Sequence, residues 1–208
     1  MSNNRNYQKE LEKQIERQQR EGSVPSLLLH SCCAPCSSYV LEYLAPYFHI
    51  CDFYYNPNIS PKKEYEDRRE ELRRLIEEMG LSTKVTFLEG TYQPEEFFAM
   101  AKGLEQLPEG GERCFLCYEM RLRESARMAK ESGMEYFATT LTISPLKNAA
   151  KLNEIGERIA EEYGVKYLPS DFKKKNGYKR SVELSAEYNL YRQNYCGCIF
   201  SKMQSEKN

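Results

Sequence analysis

At 208 residues, with 40% hydrophobic and 29% charged residues and a net charge of −1, the chain reads as one globular domain with a buried core. That composition is ordinary for a soluble globular protein, and no apolar run approaches the roughly 18 residues of a membrane span. The first residues, MSNNRNYQKELEKQIERQQREG, lack the apolar centre of a secretory signal, so a cytoplasmic protein with no membrane partner is expected.

Residues 1–22 form a polar N-terminal extension, helical or frayed, with a thin stripe of Tyr7, Leu11 and Ile15. From residue 23 to 203 apolar runs alternate with helical patterns. Strands are predicted at 26–31, 49–55, 84–89, 136–141 and 165–168, each short and rich in β-branched or aromatic residues. Helices are predicted at 37–45, 62–79, 94–102, 115–132 and 147–163, three of them closed by Gly80, Gly133 and Gly164. This alternation predicts an α/β fold around a mainly parallel sheet flanked by helices. In such sheets ligands gather at the carboxyl ends of the strands, which here carry HSCCAPCS, TTLTISPLKN with Lys147, and LPSDFKKKNGY with Asp171.

The chain has eight cysteines, and seven of them fall in three tight groups. A reducing compartment favours thiolates, metal ligation or catalysis over a disulfide scaffold. Cys51, alone in the run HICDFYYN, reads as core. Cys114 and Cys117 form a C-x-x-C at the start of a helix, where the helix terminus favours negative sulfur. Cys32 and Cys33 are adjacent and can share one site only if the backbone there is irregular, as Pro35 suggests. Two plus two thiolates suffice for tetrahedral zinc or an iron–sulfur cubane; thiol redox chemistry without a metal is the third reading. Against structural zinc, the two pairs lie about 80 residues apart and not in one small unit. Cys196 and Cys198 flank Gly197, and a bond across so small a ring is strained and readily reduced, which suits a two-electron relay. Around them Tyr191, Arg192, Gln193, Asn194 and Tyr195 offer faces and hydrogen-bond groups for a nucleobase. The run DFKKKNGYKR holds five basic residues against one acid, either a solvated face or a phosphate-contacting patch.

Six segments in order, LLLHSCCAPCSSY, FYYNPNISPKKEYEDRREE, RCFLCYEMRLRESA, TTLTISPLKN, SDFKKKNGYKRS and YRQNYCGCIFS, resemble the QueH family of cobalamin-independent epoxyqueuosine reductases over about residues 25–201. The resemblance implies an adenine nucleotide alpha-hydrolase-like (HUP-type) fold whose first loop has exchanged a glycine-rich phosphate cradle for cysteines. It implies reduction of epoxyqueuosine to queuosine at the tRNA wobble position, the last step of queuosine synthesis. It further implies a [4Fe–4S] cluster on Cys32, Cys33, Cys114 and Cys117, a redox-active pair of Cys196 and Cys198, and an additional iron beside the cluster. Some members carry a carboxylate at the place of Cys36, which is read as a ligand of that iron.

Opening an epoxide to an alkene takes two electrons and two protons, so a protein acid is needed, with Asp171, Tyr191 and His30 as candidates. The electron donor is a partner the chain does not identify. Lys173, Lys174, Lys175, Lys179 and Arg180 are the expected contacts to the tRNA backbone. The competing reading is a zinc-stabilised RNA-binding protein without redox activity. A nucleotide pyrophosphatase of the same fold fits poorly, because HSCCAPCS has no glycine.

Overall fold

The computed structural model describes residues 5–206. Helix α1 (Tyr7–Glu21) precedes strand β1 (Ser26–Ser31), followed by α2 (Ala34–Leu44), β2 (His49–Tyr54), α3 (Lys62–Glu78), β3 (Val85–Glu89) and α4 (Pro94–Ala101). Then come α5 (Glu112–Glu131), β4 (Tyr136–Thr139), a 3-10 turn (Thr140–Ile143), α6 (Ala149–Tyr163), β5 (Lys166–Tyr167), α7 (Gly177–Glu187) and α8 (Ile199–Ser205). The five strands form one sheet in the order β3-β2-β1-β4-β5, every neighbouring pair parallel. The α/β class and parallel sheet expected from the alternation are what forms, and the strand order is compatible with a HUP-type fold.

Strand β1 shows why the apolar runs carry no alternation of polarity. Leu27 and Leu29 enter a core packed by α1, α2 and α3, while Leu28, pointing the other way, joins Phe137 and the apolar stripes of α5 and α6. A strand covered on both faces needs apolar residues at every position. The register sets Leu28 beside Cys51 and Phe137, and Cys51 is itself buried. Helix α1 places Leu11 and Ile15 in the same core as Leu27, so its thin stripe is sufficient once a sheet lies beneath it.

Several boundaries differ from the predicted ones, two of them for a visible local reason. Helix α2 begins at Ala34 because Pro35 lies in its first turn, where a missing N–H leaves no bond unmade. Strand β4 stops at Thr139, whose hydroxyl accepts the Leu141 N–H at 3.1 Å and turns the chain into the 3-10 segment. Helices α7 and α8 have no counterpart in the sequence pattern. The buried face of α7 is Gly177, Ser181, Leu184 and Ser185, too small and polar to show as an apolar stripe.

Asp52 lies in the middle of β2, fully buried, and neither carboxylate oxygen has a hydrogen-bond partner among the described residues. Burial pushes its carboxyl up to about 7. Because the folded value lies above the unfolded one, ionisation works against folding. Stability is full below about pH 4 and falls as pH rises toward 7. At 1.36 kcal/mol per unit, Asp52→Asn should stabilise the metal-free chain by roughly 4 kcal/mol at pH 8 and by almost nothing at pH 4. Urea unfolding at the two pH values checks this; an equal gain at both would refute it.

Candidate metal centre

Strand order reverses between β1 and β4, and both strands deliver their carboxyl ends to one crevice. Beyond β1 come Cys32 and Cys33; beyond β4 comes the turn Ser144–Lys147, held by the Lys147 N–H on the Ser144 carbonyl at 3.2 Å. Between them opens a cavity of about 280 Å³. Its floor is Cys32, Cys33, Cys36 and Lys147; its walls include Arg68 from α3, Tyr178 and Ser181 from α7, and Arg192–Cys196. Arg68 is held against the wall by Glu64 at 2.7 Å and donates to the Cys196 carbonyl at 3.4 Å.

The sulfurs of Cys32, Cys33 and Cys36 all lie within 4.8 Å of one another, and Cys32 and Cys33 are 3.7 Å apart. The irregular backbone that adjacent ligands require is present: Cys33 is extended (φ −172°, ψ 158°) as the N-cap of α2, and Cys36 follows within the first turn. The three thiols share charge unequally. Hydrogen bonds from Cys33 and Cys36 hold Cys32 well below the ordinary thiol range, and the same interactions push Cys33 up. Cys36 rises to about 12, chiefly through its bond to Cys32. Three sulfurs this close form a group able to take a metal ion once their protons are displaced.

Cys114 and Cys117 lie in the opening turns of α5 and face a second recess that adjoins the cavity. Cys196 and Cys198 line that recess too, with Arg121, Glu109 and Lys147. Cys196, Lys147 and Glu109 belong to both linings, so seven cysteines converge on two connected spaces. Burial pushes Cys117 up to about 11 and Cys198 up to about 12. None of the eight cysteines is in a disulfide. Cys198 caps α8, its sulfur accepting the Ser201 N–H at 3.4 Å. Ser201 in turn accepts the Cys196 N–H at 3.0 Å and donates to Glu109 at 2.7 Å. Gly197 between the two cysteines has φ +109°, and a Cβ there would meet Arg68 and Ile59 at 3.0 Å. Glycine is therefore required for the loop to pass this wall.

The donor set suits a group with net negative charge. Arg121 is buried, and among the described residues it bonds only to the Cys117 carbonyl and the Asn56 amide oxygen and leaves Nη2 without a partner. It shares the recess with Cys114, Cys117, Cys196 and Cys198. A thiolate-bound metal group would supply the anion that Arg121 lacks.

Other sequence candidates lie elsewhere. Asp171 is largely buried, pairs with Lys173 at 2.5 Å and lines neither space. Tyr191 is 57% exposed and borders a separate hollow with Glu64, Asp67 and Glu71. His30 is fully buried between the Thr139 hydroxyl (2.9 Å) and the Tyr55 carbonyl (3.0 Å). The carbonyl can only accept, so Nε2 carries the hydrogen; burial pushes the imidazole down to about 3 and it stays neutral. Among the basic residues, Lys175 pairs with Glu12 at 2.5 Å and Arg180 with Glu42 at 2.6 Å. Lys174 and Lys179 are exposed and belong to no ion pair among the described residues. Glu109, Arg68 and Arg121 were not visible as site residues. Only Arg121 had a local signal, standing one helical turn after Cys117 on the same face.

The family model described as Epoxyqueuosine reductase QueH matches residues 27–204. The chain belongs to the QueH family. It is 48% identical over 203 residues to the epoxyqueuosine reductase QueH of Staphylococcus epidermidis, across 96% of this chain and 85% of that protein. To the QueH of Streptococcus pyogenes it is 46% identical over 202 residues, covering 96% and 79%. To that of Thermotoga maritima it is 40% identical over 185 residues, covering 86% and 91%. QueH proteins are oxidoreductases, and the cysteine-lined crevice fits that class. No helix among the described residues is long and apolar enough to cross a membrane.

Proposed function

We propose that this chain reduces epoxyqueuosine to queuosine at the wobble position of tRNA, in the cytoplasm, completing queuosine synthesis. The observation that carries the reading is the convergence of all seven motif cysteines on two connected spaces. Cys32, Cys33, Cys114 and Cys117 would hold a [4Fe–4S] cluster, and Cys36 an additional iron. When bound, such a centre supplies single electrons and a Lewis acid for the epoxide oxygen.

The chain's own residues do the rest. Arg192 lies over the Tyr178 ring at 5.6 Å and Arg68 over Tyr195 at 5.4 Å, giving the cavity mouth flat, cationic faces for an unstacked base. Gln193 and Asn194 line the same wall and offer amides to the base edge. Glu109 opens on the cavity and reaches the C-x-C loop through Ser201, a position from which a carboxyl group can move a proton between the two. Cys196 is half-buried at the junction and Cys198 is buried behind it. Joining their sulfurs would release two electrons and two protons, the number that the removal of one oxygen as water consumes. A low-potential electron-donor partner would restore the thiols.

Iron and acid-labile sulfide are the first quantities to measure, in protein prepared without oxygen and then incubated with epoxyqueuosine-containing tRNA and dithionite. About four sulfides with four or five irons and conversion to queuosine support the proposal. One zinc, no sulfide and no conversion would favour a zinc-stabilised RNA-binding protein.

Among Lys173, Lys174, Lys175, Lys179 and Arg180, ion pairing leaves Lys174 and Lys179 freest to meet phosphate. Replacing both with alanine should weaken tRNA binding and flatten the slope of log K against log salt by about 1.4. Unchanged slopes in titrations at several salt concentrations would remove this face from the tRNA contact.

A further inference from the structure

We propose that Lys147 and Arg121 are resident countercharges of the cysteine-held centre, and that Lys147 sets how readily this centre accepts an electron. The inference rests on the iron–sulfur reading above.

Nearby solvent-facing cations are paired with carboxylates, and the buried Arg113 is held by the carbonyls of Leu104, Glu105 and Leu107. Arg123, two residues from Arg121, pairs with Glu119 and Glu162, and Lys151, one turn beyond Lys147, pairs with Glu154. Lys147 and Arg121 have no carboxylate partner among the described residues, although Arg121 is 1% exposed. Lys147 is half-buried and lines both spaces, beside Cys32, Cys33, Cys36 and Cys196 in the cavity and Cys114, Cys117, Cys196 and Cys198 in the recess, with Glu109 the carboxylate of both linings.

A buried cation with no anion is costly. The buried Arg121, with Nη2 unpartnered, and the half-buried Lys147 beside seven cysteines describe a site built for a net negative group. Four thiolates around an iron–sulfur core carry negative charge, and reduction adds one more. A fixed positive charge favours the reduced form, and its removal lowers the potential. At the distances of a site this size, one unit charge shifts such an equilibrium on the order of tenfold, which for one electron is about 59 mV.

The test is a redox titration followed by electron paramagnetic resonance, on anaerobically loaded wild type, Lys147→Met and Lys147→Arg. Methionine keeps the apolar stem and removes the charge; arginine keeps the charge. The methionine variant should hold as much iron and sulfide as wild type, with its reduction equilibrium displaced about tenfold toward the oxidised form. The arginine variant should stay near wild type. Equal loading with equal potentials would overturn the proposal. A methionine variant that takes up no iron beside an arginine variant that loads fully would equally identify the positive charge as what the centre requires. Equal potentials with weakened binding of inorganic pyrophosphate would assign Lys147 to a substrate phosphate. If wild type itself takes up no iron and sulfide, the proposed function fails first and this inference with it.

Discussion

Cys117→Ser is expected to yield a folded chain that retains no iron–sulfur centre and converts epoxyqueuosine more than a thousandfold more slowly, a loss of about 4 kcal/mol in transition-state stabilisation. Cys117 is 6% exposed, and burial raises its thiol to about 11, so at neutral pH it is a protonated, inert side chain until a metal displaces the hydrogen. A serine hydroxyl fills nearly the same space but does not become a soft anionic ligand. The fold should tolerate the change, since Cys117 sits in a small cluster with Phe97 and Cys198, outside the two main cores. Cys51→Ser is the matched control. It too alters a buried cysteine, in mid-strand, and should leave iron, sulfide and turnover unchanged while lowering stability modestly. Metal and sulfide analysis of both variants decides the matter, and a Cys117→Ser protein with a full complement would strike Cys117 from the ligand set.

A single methyl group at Gly177 is expected to cost about 3 kcal/mol, the upper end of what overpacking costs. At 2–4 °C per kcal/mol for a chain of this size, the melting temperature should fall by roughly 6–12 °C. Gly177 opens α7 directly after Lys175 and Asn176, both in the left-handed region at φ 51° and 65°. A Cβ at Gly177 would overlap the Phe172 carbonyl and press on the Tyr39 ring of α2. Neither neighbour can yield easily: Phe172 is 1% exposed and sits in the core with α2. Because α7 carries Tyr178 and Ser181 into the cavity wall, the same variant should bind substrate tRNA less well. Gly133→Ala provides the contrast. Gly133 has φ +65° but nothing within 4 Å of an added Cβ, so only backbone strain of about 1 kcal/mol is expected. Thermal melts of the two variants should therefore separate clearly, and equal losses would show that the α2–α7 contact is not tight.

Much of the architecture could be read from local pattern. Short apolar runs flanked by helical periodicity pointed to buried parallel strands, and five such strands form the sheet. Cysteine spacing singled out Cys32, Cys33, Cys36, Cys114, Cys117, Cys196 and Cys198, and the lone Cys51 is core. These features depend on residues a few positions apart, whose relation the backbone preserves in any fold.

Charge and solvation were not legible in that way. The basic run 173–180 reads as a cationic patch, yet Glu12 from α1 and Glu42 from α2 reach across to neutralise Lys175 and Arg180. His30 stands beside the cysteines in sequence but is locked away between Thr139 and Tyr55. Glu109, in an unremarkable loop, becomes a bridge between the cavity and the C-x-C pair only because α8 packs against that loop through Ser201 and Gln204. Lys147 and Arg121 are ordinary basic residues until folding sets them on the linings that carry seven cysteines, neither in an ion pair among the described residues. Ligand spacing is a short-range property of the chain, whereas the charge state of a group is set by whichever distant residues and how much water the fold brings to it.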